Sequence, residues 1–256
     1  MVFRPNGRVR KEEKGMKIRE NEKKHLEELK SWLASQRETP LEEMDGFFAA
    51  RVNIYDEHMS VWAKAYERLP DYLPAGTKRL LDLGVGTGLE LESIYRRFPS
   101  AELVGIDLSE TMLAELRRKY PEKGIKTVCA DYFTAELGTG YDAAVSVESL
   151  HHFTAEKKSG LYKRVFDALR AGGCFLLCDY IACSEEEERL LAEECKRKRE
   201  KEKLPEEKFV HFDTPLTLEH ETAVLKGAGF TKAEMIDTID GATFILAEKS
   251  KSEDYT

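Results

Sequence analysis

A chain of 256 residues, 41% of them apolar, is long enough to bury a full hydrophobic core. Acids outnumber bases 48 to 40, a formal charge of -8, which argues against a dedicated nucleic-acid binder, whose affinity comes largely from a basic face set on phosphates. No run approaches the roughly 18 apolar residues of a membrane span, and the opening MVFRPNGRVRKEEKG lacks the apolar stretch of a secretory signal; a cytoplasmic protein with no membrane partner is expected.

The segment up to about Gln36 is dense in charge, with Leu26, Leu29, Trp32 and Leu33 at helical spacing. It predicts an amphipathic helix with a thin apolar stripe, docked loosely on the body. Met16 is a second candidate start. Residues 41–54 and 56–70 predict two aromatic-rich helices, and with the first segment they make a helical extension over 1–73.

From Lys78 the texture changes to alternating strands and helices. RLLDLG, AELVGID, IKTVCAD, YDAAVSVES and GGCFLLCDYI read as strands, and the stretches between them as helices, the second opened by Ser109 as N-cap. This order predicts an α/β fold with a largely parallel sheet covered on both faces. The charged stretch from Ser184 to Lys208 predicts a helix with a solvated face, within an insertion at 184–214, and TLEHETAVLKGAG predicts another. KAEMIDTID and ATFILAEK, joined by Asp240-Gly241, predict a closing antiparallel hairpin.

The five cysteines, Cys129, Cys174, Cys178, Cys183 and Cys195, lack CxxC spacing, so neither a zinc site nor a disulfide framework is suggested and no metal is expected. Cys129, Cys174 and Cys178 fall in strand-like runs and are expected as buried thiols.

LLDLGVGTGLE sets Gly84, Gly86 and Gly88 in the first strand-to-helix turn of the sheet. There glycines let backbone N–H groups approach a ligand at a helix N-terminus. The nicotinamide pattern GxGxxG fails at Leu89, and no GK[ST] phosphate loop is present. Asp107 closes the second strand where a carboxylate can take both hydroxyls of a ribose.

LLDLGVGTG followed by GIDLSETML, CADYF and SVESLHHF resembles the class I S-adenosylmethionine-dependent methyltransferases over about residues 78–180. The resemblance implies a three-layer, Rossmann-like, seven-stranded, mostly parallel sheet with an antiparallel final hairpin over residues 74–256, and S-adenosyl-L-methionine as cofactor. It implies that the backbone around Gly84, Val85, Gly86 and Thr87 faces the methionine part, that Gly88 helps the helix pack, and that Asp82 reaches the amino group. Asp107 would hold the ribose, Leu108 and Met112 the adenine, Asp131 and Tyr132 the adenine edge, and Val147 the end of the fourth strand. Tyr55 and Arg51 would cover the cofactor from the N-terminal extension.

The acceptor is expected above the fourth strand. Glu148 is a candidate for a cationic acceptor, His151 or His152 for a base, and Tyr180 for the pocket wall; the alternative packs one histidine under the loop and leaves the other solvated. Phe209, His211 and Phe212 are the most substrate-like residues of the insertion. No Asn/Asp-Pro-Pro-aromatic motif or Pro-Cys nucleophile marks a nucleic-acid modifier, so a small organic acceptor is expected and the chain is expected as monomer or homodimer. A tRNA or rRNA methyltransferase and a non-catalytic cofactor-binding module remain the alternatives, with a nicotinamide dehydrogenase behind them.

Overall fold

The computed structural model describes residues 18–251; Met16 and the basic segment before it lie outside them. Seven strands, β1 (Arg79–Leu83), β2 (Glu102–Asp107), β3 (Lys126–Cys129), β4 (Tyr141–Val147), β5 (Leu169–Asp179), β6 (Lys232–Ile239) and β7 (Ala242–Glu248), form one sheet in the order β3-β2-β1-β4-β5-β7-β6. The first five run parallel, and β7 lies antiparallel between β5 and β6. Asp240 (φ 49°) and Gly241 (φ 95°) make the tight turn that the hairpin signal predicts.

Alternation along the strands creates two cores. Leu81, Leu83, Ala144, Phe175, Leu177 and Ile245 face one side, where they meet α7 (Ala155–Ala168) and α9 (Leu218–Gly227). Leu80, Ala143, Val145, Leu176, Cys178 and Phe244 face the other, against α4 (Ala63–Arg68), α5 (Leu91–Arg97) and α6 (Glu110–Lys119). Strands buried on both faces carry near-continuous apolar runs, which is why they were legible. Between α7 and α9 lies a buried ion pair, Lys158 Nζ to Glu221 Oε2 at 2.5 Å, with Tyr162 donating to the same carboxylate.

The N-terminal helices differ from expectation. α1 (Glu22–Ser35) is firmly docked: Leu26 and Leu29 join Tyr180, Leu191 and Phe212 in a third core. His25 Nε2 lies 2.5 Å from Glu187 of α8 (Glu185–Glu202), and Lys198 of α8 donates to the carbonyls of Gln36 and Thr39 at 2.6 and 2.5 Å. Glu187 and Lys198 are buried, so the charged run is not wholly a solvated face. That helix stops at Glu202, where Lys203 adopts a left-handed conformation (φ 53°), rather than continuing to Lys208.

The two helices expected over 41–54 and 56–70 appear as α2 (Met44–Ala49), α3 (Val52–Met59), a 3-10 turn at Ser60–Trp62 and α4. The neighbouring rings Phe47 and Phe48 both need cover: Phe47 stacks on His211 and Phe48 meets Tyr55 edge-on. Cys174 and Cys178 are buried as expected, whereas Cys129 is exposed because β3 is an edge strand. No helix among the described residues is long and apolar enough to cross a membrane.

Candidate active site

The strand order reverses between β1 and β4, and a cleft opens there outside the carboxyl ends of the strands. Gly84 (φ 78°) and Gly86 (φ 50°) bend the chain away from β1. A Cβ on Gly84 would fall 2.2 Å from Ser149 Oγ, so the backbone lies flat against the loop after β4. A Cβ on Gly86 would instead stand in the cleft, 3.6 Å from Met112 and 3.9 Å from the Tyr55 hydroxyl.

Asp107, at the end of β2, takes the Gly86 N–H on one carboxylate oxygen and the Ser109 N–H on the other, both at 2.8 Å. Ser109 sits at the N-cap position of α6, yet its hydroxyl makes no capping bond; its own N–H is the group held by Asp107. The cleft is small, ≈60 Å³, and is walled by Tyr55, Gly84, Gly86, Asp107, Leu108, Met112, Tyr132, Val147 and Glu148. Thr87 donates to Asp56 at 2.6 Å and Lys119 pairs with its other oxygen at 2.7 Å, tying α3 to the glycine turn and to α6.

Asp82 lies beneath the turn, 1% exposed, and neither of its carboxylate oxygens has a hydrogen-bond partner. Burial, then the Glu90 charge, pushes its carboxyl well above the usual range, and burial lifts Glu90 to about 7. Neither acid is among the residues that wall the cleft; a cationic amino group close to them would favour their charged forms.

A larger cavity of ≈290 Å³ adjoins, lined by Phe47, Phe48, Tyr55, Met59 and Trp62 on one side and Glu148, His151, His152 and His211 on the other. Phe48, Tyr55, Glu148 and His152 belong to both spaces. Glu148 is a non-glycine residue with φ 48°, a conformation costing about 1–3 kcal/mol that is tolerated chiefly at functional sites. Its Oε1 has no partner, and burial, then the Asp179 charge, raises its carboxyl to about 8.

Neither histidine after β4 is solvated. His151 Nδ1 bonds Asp179, and His152 Nδ1 lies 3.2 Å from the Phe212 carbonyl. Burial disfavours a charged His151, but the Asp179 and Asp213 carboxylates win and raise it, while burial and the His151 charge depress His152.

Several expectations need correction. Val85 is not among them: its side chain turns into the core against Gly105, and its backbone, the part expected to matter, follows the turn. Asp131 does not line the cleft; its carboxylate accepts the Phe133 N–H at 2.8 Å. Tyr180 donates to Glu187 in the core under α1 and lines neither space. Arg51 reaches the larger cavity but not the cofactor cleft, held by Glu42 at 2.9 Å and lying over Phe47. Of the insertion residues His211 faces the cavity, whereas Phe209 packs on Phe133 and Phe153, and Phe212 is buried under α1. Sequence reasoning missed Met44, Asp45, Phe48 and Ser149 in the cleft wall; the paired aromatics of DGFF were the one signal for Phe48.

Residues 80–173 match the family model described as a methyltransferase domain. The chain is 28% identical to a malonyl-[acyl-carrier protein] O-methyltransferase of Anoxybacillus flavithermus, over 44% of this chain and 43% of that protein. It is 24% identical to a carboxy-S-adenosyl-L-methionine synthase of Nautilia profundicola, over 65% of this chain and 76% of that protein. Among solved structures, human N-acetylserotonin methyltransferase in complex with SAM superposes with a TM-score of 0.61 at 19% identity, covering 81% of this chain and 57% of that one. The chain spans less than half the length of the malonyl-carrier relatives it matches. Residues 80–173 thus carry a methyltransferase domain, set in a seven-stranded sheet whose reversed β7 gives it the fold of S-adenosylmethionine-dependent methyltransferases.

Proposed function

We propose that this protein binds S-adenosylmethionine in the cleft above β1 and β2 and transfers its methyl group to a small organic acceptor held in the adjoining cavity. The observation that carries this reading is the seam between the two spaces, where Phe48, Tyr55, Glu148 and His152 face both. The cofactor supplies an activated methyl carbon on a sulfonium, so the protein's task is mainly alignment and exclusion of water.

Asp107 would hold the ribose with the lone pairs its two amide bonds leave free, Asp82 with Glu90 beneath it would favour the amino group, and Met112 and Leu108 would flank the adenine. α2 and α3 act as a lid, contributing Met44, Phe48 and Tyr55 to the wall of the cleft. The cavity's aromatic side and its Glu148 edge favour a compact, partly apolar acceptor that presents a polar group at the seam.

Isothermal titration with S-adenosylmethionine, S-adenosylhomocysteine and NAD tests the cofactor; tighter binding of NAD would overturn the reading. Radiolabelled cofactor incubated with separated metabolite and RNA fractions tests the acceptor. Label is expected in metabolites, and label in RNA would favour an RNA methyltransferase instead.

A further inference from the structure

His151, His152 and Asp213 come together from the loop after β4 and from the segment before α9, the two histidines at the wall of the larger cavity and Asp213 at the wall of a second, smaller space. The two imidazole rings lie 4.0 Å apart between centroids. Asp213 Oδ1 is 3.5 Å from His151 Nε2 and 3.3 Å from His152 Nδ1. Charge-assisted hydrogen bonds between such groups are shorter, about 2.7–2.9 Å. Bonds of about 2.0–2.2 Å from a tetrahedral metal to nitrogen and oxygen set neighbouring ligand atoms about 3.3–3.6 Å apart, the spacing of Asp213 from each histidine, and the two histidine nitrogens lie within 4.8 Å of each other.

We infer that His151 Nε2, His152 Nδ1 and Asp213 Oδ1 form a binding site for a divalent first-row transition ion of the Zn²⁺ type, with a further coordination position open to the cavity. The shell behind the ligands supports this. The other nitrogen of His151 is bonded to Asp179, which is itself fixed by the N–H groups of Leu150 and Tyr180, each at 2.9 Å. A carboxylate on the far nitrogen sets the tautomer and orientation of a metal-binding histidine. The His151 carbonyl accepts the Thr214 N–H at 2.7 Å, which clamps the two segments carrying the ligands. Binding releases to solvent the Nε2 proton of His151, whose charged form Asp179 and Asp213 favour in the absence of an ion, and breaks the 3.2 Å contact of His152 Nδ1 with the Phe212 carbonyl, the His152 proton moving to Nε2 or to solvent.

Two imidazoles and one carboxylate suit zinc, iron, cobalt or nickel better than the hard ions magnesium and calcium. The absence of a cysteine zinc pattern is no obstacle, since this donor set contains no thiol. A second group, His25, Cys183 and Glu187, has suitable atom types. Its carboxylate, however, already accepts from Tyr180 and from the Cys183 N–H at 2.6 Å, and burial raises the Cys183 thiol far from the thiolate form. On the proposed function, an ion at His151, His152 and Asp213 would polarise an oxygen of the acceptor opposite the methyl donor; the ion site itself does not depend on that reading.

The test is titration of the chelator-stripped, untagged protein with Zn²⁺, followed by substitution with Co²⁺. One equivalent of Zn²⁺ is expected to bind and raise the melting temperature. Asp213→Asn and His152→Gln should weaken binding at least about 100-fold, and Asp179→Asn, behind the ligand, about 10- to 100-fold. Cys183→Ser should leave it unchanged. Circular dichroism without metal checks that the variants fold. Independently of any variant, the Co²⁺ form should show visible d–d absorption without a thiolate charge-transfer band. Absence of stoichiometric binding, binding unchanged in Asp213→Asn, loss in Cys183→Ser, or a thiolate band would each overturn the assignment. Cofactor titration on the same samples reports separately on the proposed methyl transfer.

Discussion

Asp107 accepts the backbone N–H of Gly86 at 2.8 Å, so the acid that ends β2 also fixes the bend that follows β1. Its loss would remove a ligand contact and loosen the turn at once. Asp107→Ala is expected to weaken S-adenosylhomocysteine binding by about 1.5–3 kcal/mol, roughly 10- to 150-fold, as for hydrogen bonds to a charged group. Calorimetry measures this, and an unchanged affinity would remove Asp107 from the ribose role.

Gly86 separates strain from occupancy. An alanine there has room among the protein atoms, with no neighbour nearer than 3.6 Å, but must hold φ 50°. Gly86→Ala should therefore cost only about 1–2 kcal/mol of stability, while its methyl group stands in the cleft and impairs cofactor binding. Urea unfolding beside ligand titration reads both, and full affinity in the folded variant would show that the ligand does not approach this backbone.

The pair between Lys158 and Glu221 is almost wholly enclosed, the side chains being 1% and 0% exposed. Glu221→Ala leaves a buried ammonium and strands the Tyr162 hydroxyl, an expected loss of about 3–5 kcal/mol. The double change Lys158→Met with Glu221→Leu should recover much of it. Chemical denaturation decides, and a single-variant loss no larger than the roughly 1 kcal/mol of a surface pair would contradict this account.

Acid should weaken the attachment of α1. Burial alone would raise the Glu187 carboxyl, but the hydrogen bond and charge of His25, with donors at Cys183 and Tyr180, hold it at about 2 instead of 4.5. A group more acidic in the folded state contributes stability that is complete above about pH 4.5 and disappears as the pH falls toward 2. Its size here is of the order of 3 kcal/mol. Melting curves of the wild type and Glu187→Gln should therefore converge over that acid range, and parallel curves would refute the linkage.

The sheet and the cofactor side were readable because their signals are local. Apolar runs marked β1, β2, β4 and β5, and GVGTG with the acid of GID marked the cleft. The failures have a common cause. Tyr180 lies beside Asp179 in sequence, but a strand sends neighbouring side chains to opposite sides. The larger cavity draws on residues 47–62, 148–152 and 211, which no periodicity connects. α1 was underestimated because charged residues read as solvated until a partner such as Glu187 is known.

The insertion of β7 between β5 and β6 has a consequence for biosynthesis. A β6 made before residues 242–248 have no neighbour to pair with, and β5 keeps an open edge of unpaired amide and carbonyl groups until that last segment leaves the ribosome. Completion of the sheet therefore waits for residues 242–248, and a nascent chain stalled short of residue 242 offers a sticky flank to chaperones and to other copies of itself.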